Sequence, residues 1–261
     1  MVSYQRDQPE VRRGHPRPCQ PLLCHARGLA IAYPGGNFGE AGQQFGFIAG
    51  HFQQVIPRCK KVPVSWDAVD DSPGKGNHGV GCFFSGDLDS FYTYNKHESE
   101  IDTLVLVHGF DNWLDVYEIR RQIPHVLQGI AGKLGKPLIE VETNLHEFTK
   151  RFIHWGLQGF GSGLASVAIL LSSHLKKIYI PASESYAHLD PNGSHTMLDP
   201  LWGTERLEIV HDGCEATRVE QAGHVAQSEL ALNHLRVCYQ DLDEKKRLLR
   251  RTSRKMELRA L

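Results

Sequence analysis

The stretch VGCFFSGDLDSFYTY, residues 80–94, decides the predicted fold of this chain. Its apolar run Val80–Phe84 is typical of a buried strand, and a helix is predicted to begin near Leu88. Between them lies a tight turn, Ser85–Ser90, which contains a glycine at position 86. A strand that turns directly into a helix is the first half of a βαβ unit. The stretch therefore predicts an α/β fold.

The same alternation of strands and helices continues along the chain. Further strands are predicted at Thr103–Val107, Leu138–Val141, Lys177–Ile180, Leu207–Val210 and Leu235–Cys238. Helices are predicted at Asp115–Leu134, interrupted by Pro124, and at Gly163–Leu175. This order is typical of a Rossmann-like parallel sheet with helices on both faces. In such folds ligands bind at the carboxyl ends of the strands.

Composition excludes several classes of protein. The 261 residues are 41% hydrophobic and 23% charged, with a formal net charge of -1, so no strong overall field favours nucleic acid or membrane surfaces. The longest apolar run, Leu164–Leu171, is much shorter than the roughly 20 residues of a membrane span. The first twenty residues are polar and do not resemble a secretory signal. We therefore expect a soluble cytoplasmic protein with no membrane partner.

The six cysteines are widely spaced and favour buried, reduced thiols over a disulfide framework. Cys19 and Cys24 are the only close pair, and a zinc site would need a second pair at ligand spacing. Metal binding by a cluster of cysteines and histidines is therefore a secondary hypothesis.

Three regions differ in composition. Residues 1–78 are rich in Pro, Gly, Arg and Gln, form a poorly specified N-terminal region, and end in a linker at 70–78. Residues 79–240 carry the alternating pattern and form the predicted domain. Residues 241–261 form a basic tail, which either is a solvated helix or binds an acidic surface or RNA.

The turn after the first strand is a candidate anion site. Backbone N–H groups at a helix N-terminus attract negative charge, and Gly86 allows a phosphate to approach the backbone closely. Ser85 and Ser90 add hydroxyl donors, and Asp89 either caps the helix or holds a magnesium ion. A plain capped turn would explain the same residues.

The loop SGDLDS resembles the SGGxDS pyrophosphate loop of the PP-loop ATP pyrophosphatases, in the adenine nucleotide alpha-hydrolase-like (HUP-type) superfamily. That group includes 7-cyano-7-deazaguanine synthases, tRNA thiolation enzymes and the synthetase domain of asparagine synthetases. Further segments are similar to a bacterial subgroup of this family, and the resemblance covers about residues 79–240. These segments are LVLVHGFD (104–111), PLIEVETNL (137–145), GSGLASVAILL (161–171) and the polar stretch 178–220.

The resemblance implies ATP and Mg²⁺ as cofactors and adenylate-forming chemistry. Such enzymes cleave ATP to AMP and pyrophosphate, activating a carboxylate or carbonyl oxygen of an acceptor, here unknown, for attack by a nitrogen or sulfur nucleophile. The implied pyrophosphate-binding positions lie in the loop, and the implied adenine-binding positions lie at the end of the second strand. They are Ser85, Gly86, Asp87, Asp89 and Ser90 in the loop, and Val107, His108 and Gly109 after the strand.

Two departures from the family pattern stand out. The second glycine of the family loop is Asp87 here. Aspartate tolerates positive φ better than most residues, so the turn itself can survive. A carboxylate about 5 Å from a phosphate charge costs roughly 3 kcal/mol of binding free energy, about a hundredfold in affinity, unless magnesium bridges the two.

The chain also lacks a cysteine after Cys238, which disfavours sulfur transfer and zinc-dependent variants of the family chemistry. A degenerate nucleotide-binding homologue without catalysis and an RNA-associated modifying enzyme remain as alternatives.

Polar groups concentrate in the region 182–220 and are expected to bind the acceptor, although a long ordered loop is an equal alternative. Asp212 is the best candidate there for a magnesium or substrate contact, and Arg218 for neutralising developing phosphate charge. His195 is a weaker candidate for a general acid or base. Thr143 and Asn144 are expected near the same cleft. The segment Gly161–Gly163 predicts either a second anion-binding helix terminus or close packing of the helix on the sheet.

Overall fold

The computed structural model describes residues 79–110 and 117–236, which form a five-stranded sheet with helices. The strands are β1 Gly79–Phe83, β2 Thr103–His108, β3 Leu138–Glu142, β4 Leu175–Pro181 and β5 Glu208–Asp212. The α-helices are α1 Leu88–Lys96, α2 Tyr117–Leu134, α3 Leu145–Thr149, α4 Phe160–Leu170, α5 Arg218–Val225 and α6 Glu229–His234. A π-helix spans Trp155–Gly159, and a 3₁₀-helix spans Asp199–Trp202.

All neighbouring strands of the sheet are parallel, in the order β3-β2-β1-β4-β5. The chain moves outward from β1 to β2 and β3, then crosses back to the other side of β1 to form β4 and β5. Between β1 and β4 the direction of winding reverses, and this is where α/β sheets open a crevice at their carboxyl ends. The predicted Rossmann-like α/β class is therefore confirmed.

The two faces of the sheet carry separate hydrophobic clusters. One cluster packs α1, α2, α5 and α6 on the sheet and includes Phe84, Phe91 and Leu127. The other packs α4, the π-helix and the 3₁₀-helix, and includes Leu164 and Trp202. Because both faces are covered, the central strands β1 and β2 are almost continuously apolar, as is typical of parallel sheets. The edge strands β3 and β5 carry charged residues as well.

The helix predicted at Gly163–Leu175 is wrong at both ends. The observed α4 starts at Phe160, because the π-helix leads directly into it. It ends at Leu170, and a turn follows before β4 begins at Leu175. Leu175 is buried in the core on the face of the sheet that α4 covers. The apolar stretch therefore contains the end of α4 and the start of β4, and its hydrophobicity does not show where the helix ends.

Two other boundaries differ from the prediction. Helix α2 continues through Pro124, with seven residues before the proline and ten after it, because one missing hydrogen bond does not end a helix supported by turns on both sides. Leu235 and Arg236 are not in a strand but directly follow α6. Leu235 packs in the core, which explains its apolar character.

Several predictions concern residues outside the described ranges, namely the N-terminal region with its linker, the basic tail and four of the six cysteines. The two described cysteines, Cys82 and Cys214, are buried free thiols, as predicted for reduced cysteines. Burial raises the pKa of Cys82 well above its ordinary value. Within residues 79–110 and 117–236, every helix is too short or too polar to cross a membrane.

Candidate functional site

The loop between β1 and α1 takes its shape from Gly86. This glycine has φ +77°, and a Cβ placed on it would lie 2.8 Å from Leu127 Cδ2. Asp87, in contrast, has φ -91° and ψ -178°, an extended conformation open to any residue. The tolerance of aspartate for positive φ is therefore not needed, because the first glycine of the loop alone makes the left-handed turn.

Asp87 is the N-cap of α1. Its carboxylate accepts a hydrogen bond from the Ser90 amide at 3.2 Å, so the cap is Asp87 and not Asp89. The Ser90 hydroxyl donates to the Asp87 carbonyl at 3.0 Å and accepts from the Gly86 amide at 3.1 Å. The amide of Leu88, in the first turn, has no carbonyl four residues earlier in the helix and remains as a donor for a ligand, whereas the Asp89 amide donates to its own carboxylate.

A cavity of about 140 Å³ lies at the carboxyl ends of β1, β2, β4 and β5. The loop lines it with Ser85, Asp87, Asp89 and Ser90, whereas Gly86 is buried behind them. Other lining residues come from the strand ends, from α4 and from the loop after β4; they are Phe83, Phe84, Val105, Leu106, Val107, Phe110, Phe160, Leu164, Ile180, Pro181, Ser183, Glu184, Asn192, Ser194 and His211. Small-molecule pockets are typically about 300–1,000 Å³, so a ligand as large as ATP would extend beyond this cavity.

Asp89 and Arg218, two of the predicted site residues, are in contact across the loop. Arg218 Nη1 lies 2.5 Å from Asp89 Oδ1, which places the guanidinium beside the cavity. Burial and then the charge of Asp87 raise the pKa of Asp89 to about 6, while Arg218 opposes the increase. Two adjacent carboxylates of the loop, Asp87 and Asp89, therefore lie near one cation from α5, Arg218. At neutral pH the net charge of these three groups is negative.

The electrostatic coupling of Asp89 to its neighbours predicts opposite effects of two substitutions. Asp87→Asn removes a negative charge and should lower the pKa of Asp89, whereas Arg218→Gln removes a positive charge and should raise it. Carbon-detected NMR titration of the aspartate carboxyl groups measures both. The control Asp102→Asn, immediately before β2 and so at the amino ends of the strands, should leave the pKa of Asp89 unchanged. Shifts of the same sign in Asp87→Asn and Arg218→Gln would contradict the assignment.

Asp212 lies on the other face of its strand and does not line the cavity. Successive strand residues point to opposite faces, so His211 faces the cavity and Asp212 faces α1. There Asp212 Oδ1 accepts from Lys96 Nζ at 2.9 Å and contacts His97 Nε2 at 3.0 Å. Lys96 also donates to Glu215 at 2.5 Å, so this cluster ties α1 to β5.

Several other predicted residues also lie outside the cavity lining. At the end of β2, Val107 lines the cavity, but His108 turns to Glu140, with 3.1 Å between His108 Nε2 and Glu140 Oε2. Gly109, with φ +95°, makes the turn after the strand. Thr143, Asn144 and His195 do not line the cavity either.

The N-terminus of α4 is occupied by protein. The Gly161 amide donates to the Gly193 carbonyl at 3.1 Å, and the Ser162 hydroxyl donates to the Gly159 carbonyl at 3.0 Å. A Cβ on Gly161 would lie 2.4 Å from both Asp199 Oδ1 and the Gly193 oxygen. Of the two predictions for this segment, close packing is therefore correct and a second anion-binding terminus is wrong.

His211 and Asp199, which no sequence motif singles out, form a buried pair, and His211 lines the cavity. His211 Nδ1 and Asp199 Oδ2 are 2.7 Å apart, and the Ser194 hydroxyl donates to the same oxygen at 2.6 Å. Asp199 is fully buried and the His211 side chain is 6% exposed. The sequence signal was the position of His211 at a strand end, one residue before the favoured Asp212.

Among residues 79–110 and 117–236, no group of three or more His, Cys, Asp or Glu side chains could hold a metal ion. Asp87 and Asp89 form a pair of hard oxygen donors that line the same cavity. Magnesium is typically bound by one or two carboxylates together with substrate phosphates and water. The pair could therefore supply two of the ligands of a magnesium ion.

Comparisons of the chain with family models, with curated proteins and with solved structures found no match.

Proposed function

We propose that this protein is an ATP-dependent, adenylate-forming enzyme of the PP-loop type that cleaves ATP to AMP and pyrophosphate. The observation that carries the proposal is the loop between β1 and α1, whose residues Ser85, Asp89 and Ser90, at the start of the helix, line a cavity at the switch point of a parallel sheet. Free amides at a helix N-terminus with a positive dipole behind them bind phosphate in many unrelated proteins.

Charge balance supports a requirement for a divalent cation. Three carboxylates line the cavity, those of Asp87, Asp89 and Glu184, and ATP would add several negative charges. Each carboxylate close to a phosphate opposes binding by up to about 3 kcal/mol. We propose that Asp87 and Asp89 hold Mg²⁺ together with phosphate oxygens, and that Mg²⁺ neutralises phosphate charge when bound.

The other groups of the loop have distinct roles in this proposal. The amide of Leu88 and the hydroxyl of Ser85 bind the pyrophosphate moiety. Arg218, which reaches the loop through Asp89, neutralises the charge that develops on the departing pyrophosphate. The apolar wall that includes Val107 and Phe110 excludes water from the activated intermediate.

A second candidate function is nucleotide binding without catalysis, and Asp87 is the residue that favours it. The carboxylate is committed to the cap of α1 and stands where the family loop has glycine. If it only repels phosphate, the loop would bind nucleotide weakly and would not position it for cleavage. The proposed association with RNA depends on the tail, outside the described residues.

Isothermal titration with ATP, with and without Mg²⁺, tests the proposal. We expect micromolar binding that depends on magnesium. Without the metal, Asp87→Asn should bind ATP about a hundredfold more tightly than the wild type, because asparagine keeps the helix cap and removes the charge. With the metal this advantage should shrink or reverse, because a magnesium ligand is also removed.

The matched control is Asp102→Asn, which makes the same charge change at the amino ends of the strands, away from the cavity at their carboxyl ends. Its side chain can still accept the hydrogen bond from the Val80 amide. No detectable binding at millimolar ATP would overturn the enzymatic proposal. Binding without release of pyrophosphate in any acceptor screen would favour the non-catalytic alternative.

A further inference from the structure

We infer that this protein forms a homodimer in which the exposed segment of residues 147–152 packs against the same segment of a second copy. The segment comprises the second half of α3 and the turn that follows it. The inference rests on two adjacent rows of exposed side chains, one aromatic and one charged. It does not depend on the proposed function, because none of these side chains lines the cavity.

The segment continues the helical path of α3 by about one turn. The Lys150 amide donates to the His146 carbonyl at 2.9 Å, and the Ile153 amide donates to the Thr149 carbonyl at 3.1 Å. Both hydrogen bonds join residues four positions apart, as in an α-helix. Side chains four positions apart therefore lie one above the other on the surface of this segment.

Phe148 and Phe152 form the aromatic row. Phe148 is 64% exposed and Phe152 is 58% exposed, and their ring centroids are 6.2 Å apart. Together they leave roughly 250 Å² of apolar surface in water, if a whole phenylalanine side chain is taken as about 200 Å². Neighbouring exposed aromatic side chains are typical of surfaces that contact other molecules.

Glu147 and Arg151 form the charged row, which runs beside the aromatic row. Each of them precedes a phenylalanine by one position, and one residue turns by about 100° around a helix. Glu147 forms an ion pair with Lys150 of the same chain, yet its side chain remains 56% exposed. Arg151 is exposed as well. The charged row therefore has a negative group at one end and a positive group at the other.

The two rows are complementary to a second copy of themselves about a two-fold axis. When two such segments pack antiparallel, Phe148 of each copy faces Phe152 of the other. The charged rows then lie side by side, because the two-fold rotation keeps both on the same side of the interface. Glu147 of each copy faces Arg151 of the other, and opposite charges meet twice. A parallel arrangement would instead oppose like charges.

The balance of charge disfavours the other occupants of an aromatic patch. A single-stranded nucleic acid or an anionic membrane surface favours cations around the aromatic rings, and the Glu147 carboxylate would repel its phosphates. The aromatic centre, roughly 250 Å² per copy, is about a third of the 800 Å² that each partner buries in a standard interface. The charged row and the residues around it must supply the rest, so we expect a weak dimer.

Pairing would also restrain one wall of the cavity. His146 of α3 stacks on Trp155, with 4.7 Å between the ring centroids. Trp155 in turn contacts Phe110, with 4.9 Å between the ring centroids, and Phe110 lines the cavity. A second copy that holds α3 in place would therefore limit the movement of Phe110.

Sedimentation velocity over a concentration series tests the inference. The wild type should pass from monomer to dimer with a dissociation constant in the micromolar range. Glu147→Arg and Arg151→Glu should each weaken the dimer about tenfold or more, because each substitution opposes like charges twice. An equimolar mixture of the two variants should form a heterodimer, since an all-basic row then faces an all-acidic row. The control Lys176→Glu, at an exposed position in β4, should dimerise like the wild type.

A second variant tests the aromatic row. Phe152→Ser should weaken the dimer about tenfold or more, because it removes one of the two rings from each copy. The matched control is Leu170→Ser, which replaces an exposed apolar side chain at the end of α4 and should leave the dimer unchanged. All the substituted side chains are exposed, so circular dichroism should show that each variant is folded.

Three results would overturn the inference: a wild type that remains monomeric at millimolar concentration, a dimer that none of these substitutions weakens, or a mixture of the two charge variants that stays monomeric. Binding of oligouridylate or of phosphatidylserine vesicles by a monomeric wild type, lost in Phe152→Ser, would overturn it in favour of a nucleic acid or a membrane surface.

Discussion

Gly161→Ala should lower the free energy of unfolding by about 3 kcal/mol, at the upper end of the range for overpacking a core. A Cβ at this position would lie 2.4 Å from Asp199 Oδ1 and 2.4 Å from the Gly193 carbonyl oxygen. Neither oxygen can move freely, because Gly193 accepts the Gly161 amide and Asp199 is fully buried beside His211. The new methyl group must therefore push the loop after β4 away from α4.

Urea denaturation at neutral pH measures the loss, which corresponds to a fall in melting temperature of roughly 6–12 °C for a domain of this size. The matched control is Gly132→Ala in α2, where a Cβ meets no atom within 4 Å. There alanine should stabilise the protein by about 0.5–1 kcal/mol through helix propensity. Equal effects of the two substitutions would show that the loop does not pack on α4 as described.

Asp199→Ala should cost about 3–5 kcal/mol of unfolding free energy, because it leaves the buried charge of His211 without a partner. The same pair makes stability depend on pH. Burial lowers the pKa of His211, but hydrogen bonds and charge from Asp199 and the Cys214 sulfur raise it to about 9 in the folded protein, against about 6.5 when unfolded. The folded state therefore binds more protons between these values. The contribution of His211, about 3 kcal/mol, is complete below pH 6.5 and is lost as the pH rises through 9.

The free energy of unfolding of the wild type should accordingly fall between pH 6.5 and pH 9. In Asp199→Asn, which keeps the shape but not the charge, the pKa of His211 should drop and this part of the pH dependence should shrink, the remainder coming from Cys214. The difference between the two curves isolates the pair from other titrating groups. The control His188→Gln, at an exposed histidine outside the cavity, should follow the wild type. Parallel curves for wild type and Asp199→Asn would show that the two side chains do not interact.

These two substitutions act on the same structural unit. Gly161, Asp199 and His211 come from α4, the 3₁₀-helix and β5, and of the three His211 lines the cavity. Loss of stability in either variant would therefore accompany a change in the cavity wall at His211. Asp87→Asn, in contrast, should change ATP affinity with little change in stability.

The amino-acid sequence by itself determined the fold class and one part of the site. Apolar strand runs separated by helical stretches predict a parallel sheet, because both faces of such a sheet must be buried. The strand–turn–helix pattern around Gly86 predicts the position of the loop between β1 and α1, since local hydrogen bonds and one positive φ suffice to form it. These features depend on neighbours within a few residues, which the sequence shows directly.

Only the tertiary structure decided which distant side chains meet. It brought Arg218 to Asp89 across more than a hundred residues, turned Asp212 away to Lys96, and joined His211 to Asp199. The choice between His211 and Asp212 depended on strand register, because a shift of one residue exchanges the two faces of a sheet. Register is set by the packing of the whole sheet and its helices, and no local pattern around these residues contains it.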